Sequence, residues 1–212
     1  MREFNLLVKY PQPEERIVLN RTIEDRILAC YRGWDFFDGV RSSGYGGMKR
    51  GNQWKATAGF IKEIYKPRRV IQFACEKGFL LADLVELGIE VIGVESSSYA
   101  RSHAPEEVKI VPSLPTEQLS NPFDFALALG LVYTHNLHDA MNCIRMMERV
   151  AHKAFITLAA YETEEDLRLF RKWTLLGTTI LKKEEWVEVL KHCGYTGDYW
   201  FITAEYLRLR EP

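Results

Sequence analysis

The residues best placed to do chemistry fall in four short stretches. The first is Val70-Ile71-Gln72-Phe73-Ala74-Cys75-Glu76-Lys77-Gly78-Phe79-Leu80-Leu81, an apolar run, a tight turn and the start of a second apolar run. The second is Val91-Ile92-Gly93-Val94-Glu95-Ser96, which sets a carboxylate about seventeen residues after Gly78. A strand, a turn and a helix, followed by an acidic residue at the end of the next strand, suit a nucleoside ligand. The turn lies against one end of it, and the carboxylate accepts both hydroxyls of a ribose. The third stretch is Gly130-Leu131-Val132-Tyr133-Thr134-His135-Asn136. An imidazole titrates near neutral pH, so His135 is the natural general base for a hydroxyl or amine acceptor; its other reading is to cap or orient the next helix. The fourth, Ser42-Ser43-Gly44-Tyr45-Gly46-Gly47, reads as a lid in which Tyr45 supplies a ring and a hydroxyl, or as a flexible connector. Arg41, Lys49 and Arg50 flank it and would attract an anionic acceptor such as a phosphorylated or nucleotide-linked sugar, unless they are solvated.

These residues need a scaffold, and hydrophobic periodicity predicts one. Strands are expected at Val70 to Ala74, Glu90 to Glu95, Val108 to Val111, Phe123 to Leu129 and Ala154 to Ala160. Between them Phe79 to Leu87, Ser97 to His103 and Leu137 to Val150 suit helices. Strands apolar on both faces and separated by helices imply a Rossmann-like, doubly wound α/β fold, with a mostly parallel sheet of six or seven strands covered on both sides. Ahead of it, Thr22 to Phe37 places Ile23, Ile27, Cys30, Tyr31 and Trp34 near one helical face, and Trp54 to Tyr65 reads as a further helix. Residues 1–66 are therefore expected as an N-terminal helical cap and lid, and 67–212 as the α/β unit. Helices at Glu164 to Trp173 and Glu184 to His192 and a strand around Trp200 to Leu207 close the chain.

Composition bounds the function. With 28 Lys and Arg against 29 Asp and Glu in 212 residues, the formal charge is -1, which supplies no global field for nucleic acid or an anionic membrane. Nucleic acid as acceptor is disfavoured. The longest apolar run, Phe123 to Tyr133, is too short to span a bilayer and contains Asp124. The first residues lack the apolar core of a signal peptide, so a cytoplasmic protein is expected. Cys30, Cys75, Cys143 and Cys193 are too scattered for a zinc knuckle or disulfide framework. His135, His138 and Asp139 lack an assigned further ligand, and no metal is expected. The apolar helix faces suit either a core or a homodimer interface.

The order of these stretches resembles the class I S-adenosylmethionine-dependent methyltransferases, whose first motif is a strand followed by D-x-G-x-G-x-G. The chain is most similar to a bacterial and archaeal subgroup with Y-F-D-G, G-Y-G-G, W, G-C-x-K-G-F-L, H-N-L and G-Y-T-G-D-Y segments. Here these are Phe36-Phe37-Asp38-Gly39, Gly44-Tyr45-Gly46-Gly47, Trp54, Cys75-Glu76-Lys77-Gly78-Phe79-Leu80, His135-Asn136-Leu137 and Gly194-Tyr195-Thr196-Gly197-Asp198-Tyr199. The resemblance implies S-adenosylmethionine as cofactor, held by Ala74, Cys75, Glu76, Gly78, Glu95, Ser96, Ser113 and Gly130. It places Tyr45, Asn136 and Tyr199 beside a small-molecule acceptor.

The first motif departs from the pattern. Gln72 stands at the Asp position, Ala74 and Glu76 at the first two Gly positions, and Gly78 alone is kept. Beyond the third strand, Ser113 is a weaker acceptor for adenine than the acidic residue the family often has there. Glu76 would repel a cofactor carboxylate or pair with its amino group, while Lys77 is either a solvated turn residue or the charge that offsets Glu76. Two readings follow: a methyltransferase that tolerates an altered turn, or a methyltransferase-like fold that does not bind the cofactor and acts as a non-catalytic partner or on another ligand.

Overall fold

The computed structural model describes residues 1–7, 20–114 and 122–210. Eight strands form one sheet: β1 (Arg2–Glu3), β2 (Arg69–Phe73), β3 (Glu90–Val94), β4 (Ile110–Val111), β5 (Phe125–Ala128), β6 (Ala154–Tyr161), β7 (Leu181–Lys182) and β8 (Asp198–Ile202). Their order is β1-β8-β6-β5-β2-β3-β4, with β7 paired to β6, and each of these pairings is parallel. The sheet is thus one strand wider than expected. The additional pairing comes from two-residue segments, β1 and β7, too short for a period-two signal to register.

The helices are α1 (Ile23–Tyr31), α2 (Trp34–Phe37), α3 (Gln53–Tyr65), α4 (Phe79–Glu86), α5 (Ser98–Ser102), α6 (Leu137–Val150), α7 (Glu164–Trp173) and α8 (Lys183–His192). Among the described residues none is long and apolar enough to cross a membrane. Successive side chains on a strand point to opposite faces, so each central strand serves two cores. Val70, Phe125, Leu127 and Phe155 pack with Ala58 and Ile61 of α3 and Leu80, Leu81 and Leu84 of α4. Their neighbours Ile71, Ala126, Ala128 and Ile156 face Ile144 and Met147 of α6 and Trp186 of α8. That double burial is why these strands read as continuous apolar runs.

Two expectations are corrected. Thr22 to Phe37 is two helices: Thr22 caps α1 by accepting the Asp25 N–H, and Arg32 ends it in a left-handed conformation at φ 48. The apolar face of α1, which suited either a core or an interface, looks outward, with Ile23 74% and Tyr31 77% exposed, while Ala29, Phe36 and Phe37 are buried against Ala100. Periodicity identifies a stripe but not what it faces. The final strand ends at Ile202 rather than Leu207, because Thr203 to Arg208 turns back so that Ala204, Leu207 and Leu209 pack on Phe170 and Ala159.

β2 lies between β3 and β5, so the chain leaves it in one direction for β3 and β4 and returns on its other side as β5. In open α/β sheets a ligand crevice opens beyond the carboxyl ends of the strands at such a reversal. The turn after β2, the end of β3 and the loop after β5 all meet there.

Candidate active site

The turn after β2 has an alternating backbone. Ala74 (φ 49), Glu76 (φ 56) and Gly78 (φ 73) are all left-handed, a conformation that costs a residue with a Cβ roughly 1–2 kcal/mol. Hydrogen bonds hold it: Cys75 N donates to Val94 O at 3.2 Å, Gly78 N to Cys75 O at 2.8 Å, and Glu76 N to Glu95 Oε2 at 3.0 Å. Cys75 fits because Gly93 opposite it has no side chain; a Cβ there would lie 2.5 Å from its Sγ. The glycine-type geometry therefore persists although two of the three glycines are replaced.

Glu95, just past β3, is 1% exposed. Its Oε1 accepts the Ser97 N–H at 2.9 Å, and its Oε2 takes the Glu76 N–H and, at 3.2 Å, Nη2 of Arg32. Arg32 Nε is buried with no acceptor. Glu95, Ser96, Phe73, Val94, Pro112, Leu131 and His135 line a cavity of about 630 Å³. Arg26 and Arg32 also reach this lining, and its apolar walls with one carboxylate suit a base and its ribose.

Glu76 divides two further cavities. On one side, about 300 Å³ is bounded by Glu76, Cys75, Gln72, Trp54 and Tyr45, and Gln72 Oε1 is buried there without a donor. On the other, about 110 Å³ lies between Glu76, Tyr45, Gly130, Tyr133 and three arginines, Arg21, Arg32 and Arg41. Tyr45 donates its hydroxyl to Glu76 Oε1. Burial raises the Glu76 carboxyl above its ordinary range, and nearby Glu95 adds to this against the opposing pull of Tyr45 and Arg32. Burial, with Glu95 and Glu76, likewise raises the Cys75 thiol, so it is not an activated nucleophile. Ala74 borders all three cavities.

Lys77 is not a solvated turn residue; its charge does oppose the rise of the Glu76 carboxyl, but its direct partners lie elsewhere. It is 5% exposed, and its ammonium lies 2.6 and 2.7 Å from the two carboxylate oxygens of Asp38 and 3.1 Å from Met48 O. Tyr99 donates to the same carboxylate at 2.6 Å. This cluster fastens the segment around Asp38 and Met48 to the turn. Arg50 is also spoken for, pairing with Asp83, Glu86 and Glu107.

Of the residues singled out from sequence, Ala74, Cys75, Glu76, Glu95, Ser96, Gly130, Tyr45 and His135 line the three cavities. Gly78 supports the turn from behind. Ser113 is exposed and lies outside the cavity wall, which Pro112 forms. Asn136 caps α6, its Oδ1 accepting the Asp139 N–H at 3.0 Å. Tyr199 is buried in the sheet core beside Phe201, away from the cavities. Arg21 and Arg32 were missed: Arg32 pairs with Glu95 across 63 residues, a separation no local pattern spans.

Solved structures provide the comparison. Magnesium protoporphyrin IX methyltransferase from Synechocystis PCC 6803, with bound SAH, matches at TM-score 0.52 and 16% identity over 66% of this chain and 71% of its own. A SAM-dependent methyltransferase from Archaeoglobus fulgidus matches at 0.50 and 15%, over 71% and 70%. The chain has the class I methyltransferase fold. A candidate O-methyltransferase from Nostoc punctiforme PCC 73102 matches at 0.52 and 15% identity over 68% of this chain, which spans only half of the Nostoc chain's length. No family model matches this sequence, and no curated protein matches it.

Proposed function

We propose that this protein is an S-adenosylmethionine-dependent methyltransferase acting on a small polar molecule. The observation that carries the reading is the turn after β2: residues 74, 76 and 78 keep left-handed backbone, and Glu76 N is tied to the Glu95 carboxylate at 3.0 Å. Spending strain on a turn at the strand-order reversal is expected of a ligand site.

The residues present fit the cofactor. Glu95 would take the ribose hydroxyls, with Arg32 yielding part of its hold on Oε2. Phe73, Val94, Pro112 and Leu131 would wall the base. The orphaned acceptor Gln72 Oε1, together with Glu76, suits the α-ammonium group. Glu76 thus pairs with the amino end rather than opposing the carboxylate. When bound, the cofactor supplies an electrophilic methyl group on sulfur. The chain's own work is to align an acceptor against it and remove a proton, a role assigned to His135 at the edge of the nucleoside cavity.

A second reading, a fold that does not bind this cofactor and serves as a non-catalytic partner or binds another ligand, is favoured by one observation: the Glu95 carboxylate already accepts four donors, including a cation. Calorimetric titration with S-adenosylhomocysteine separates the two. Saturable heat supports the methyltransferase; none at millimolar ligand overturns it in favour of the second reading.

A further inference from the structure

We infer that α1 is a self-association surface: a second copy of this chain lays its own α1 against the outward stripe of Ile23, Ile27, Cys30 and Tyr31. The inference does not depend on the methyltransferase reading.

Shape is the first argument. At 3.6 residues per turn these four side chains fall within about 100° of the circumference of α1, and Ala29, on the opposite side, is fully buried. Ile27 is 47% exposed, Cys30 is exposed, and Trp34, three residues beyond Tyr31, is 55% exposed. The four-three spacing of Ile23, Ile27 and Cys30 is that of a seam between two helices packed side by side. The occupant that fits such a stripe is another helix.

Area is the second. With Trp34, these five side chains expose on the order of 600 Å², at the upper end for the largest apolar patch of a monomer. Two copies together hide about twice that, above the roughly 1,000 Å² a specific interface needs and near the lower end of the standard size.

Charge is the third, and it selects the chain's own copy. Residues 21–35 carry three arginines and three carboxylates, which gives no net field for an anionic membrane or a highly charged partner. Glu24 and Arg26, both exposed, stand on opposite flanks of the stripe. With a two-fold axis running along α1, the Glu24 flank of each copy meets the Arg26 flank of the other, so the face is complementary to itself. Arg26 and Cys30 also line the nucleoside cavity, so the interface borders the candidate site.

Sedimentation equilibrium of the full chain between about 1 and 200 µM tests this. A monomer passing to a dimer is expected, with a dissociation constant on the order of 10 µM, as befits an interface of this size. The Cys30 thiol, fast in the dilute monomer, should slow about fivefold at the upper concentration, in step with the dimer fraction. Ile27→Lys and Tyr31→Lys should each leave a monomer throughout that range with an unchanged unfolding midpoint, since both side chains already face water. Ile64→Lys, at an exposed position on α3, should keep the dimer. If Ile27→Lys fails to fold, Tyr31→Lys decides. A wild-type chain that stays monomeric overturns the inference, whether the stripe then goes to phosphatidylcholine vesicles or Cys30 is already slow in dilute protein because the chain covers its own stripe. A dimer that survives both lysine substitutions in α1 overturns it as well. None of these readouts uses S-adenosylhomocysteine, so failure here leaves the methyltransferase reading standing.

Discussion

Lys77 Nζ lies 2.6 Å from Asp38 Oδ2, so the turn that follows β2 is pinned to the segment that follows α2. The lysine side chain is 6% exposed and the aspartate 23%. A nearly buried ammonium is tolerable only while its counter-charge stays in place. Lys77→Met and Asp38→Asn should each cost about 2 kcal/mol at pH 7, less than the ~3–5 of a fully buried pair because Asp38 keeps some solvent. Urea unfolding measures this, and Asp38→Asn should cost more than a carboxylate lost from the surface.

The same pair sets an acid dependence. Burial alone would raise the Asp38 carboxyl, but hydrogen bonds from Lys77 and Tyr99 outweigh it and hold the group below its ordinary range. A carboxylate depressed in the folded state contributes stability that is present above its unfolded value, about pH 4, and is lost as pH falls through the folded one. Wild type should lose stability more steeply than Asp38→Asn below about pH 4. Parallel unfolding curves would contradict the assignment.

Glu76 works in the opposite direction. Burial raises its carboxyl, so the folded state holds the proton more tightly than the unfolded chain, and stability falls as pH rises from the unfolded value toward the folded one. Glu76→Gln removes that slope and is expected to raise the unfolding midpoint at pH 7 relative to wild type. Ala74→Gly, at φ 49, is expected to be neutral to about 1 kcal/mol stabilising, whereas Ala56→Gly inside α3 should lose about 1 kcal/mol. Equal losses at the two alanines would mean that Ala74 is not strained.

Glu95→Gln keeps an acceptor for Ser97 but loses charge toward Arg32 and the ribose. It should weaken S-adenosylhomocysteine tenfold or more by calorimetry. His135→Gln should instead leave that affinity within about twofold and lower turnover about a hundredfold once an acceptor is in hand. Unchanged turnover would remove His135 from the chemistry.

Thiol chemistry offers an independent check on burial. Cys30 is exposed, while burial raises the Cys143 thiol to about 11 and raises Cys75 and Cys193 as well. Titration with a coloured disulfide reagent at pH 7.5 should find one fast thiol per folded chain, abolished in Cys30→Ser, and four after denaturation.

Sequence alone determined the α/β architecture, because β2, β5 and β6 are buried on both faces and α6 carries a strong single apolar stripe. Periodicity reports such one-dimensional burial directly. It also located the turn at 74–78 and the carboxylate at 95, since both are set by their distance from strand ends. The tertiary structure alone decided what those residues do. Glu95 meets Arg32, Glu76 meets Tyr45 and Lys77 meets Asp38 across 63, 31 and 39 residues. Such partners are chosen by how residues 32–45 pack beside the ends of β2 and β3. The α1 stripe makes the same point in reverse: Ile23, Ile27 and Tyr31 have core-like spacing and yet face outward. Spacing states which residues share a face, and only packing states what that face meets.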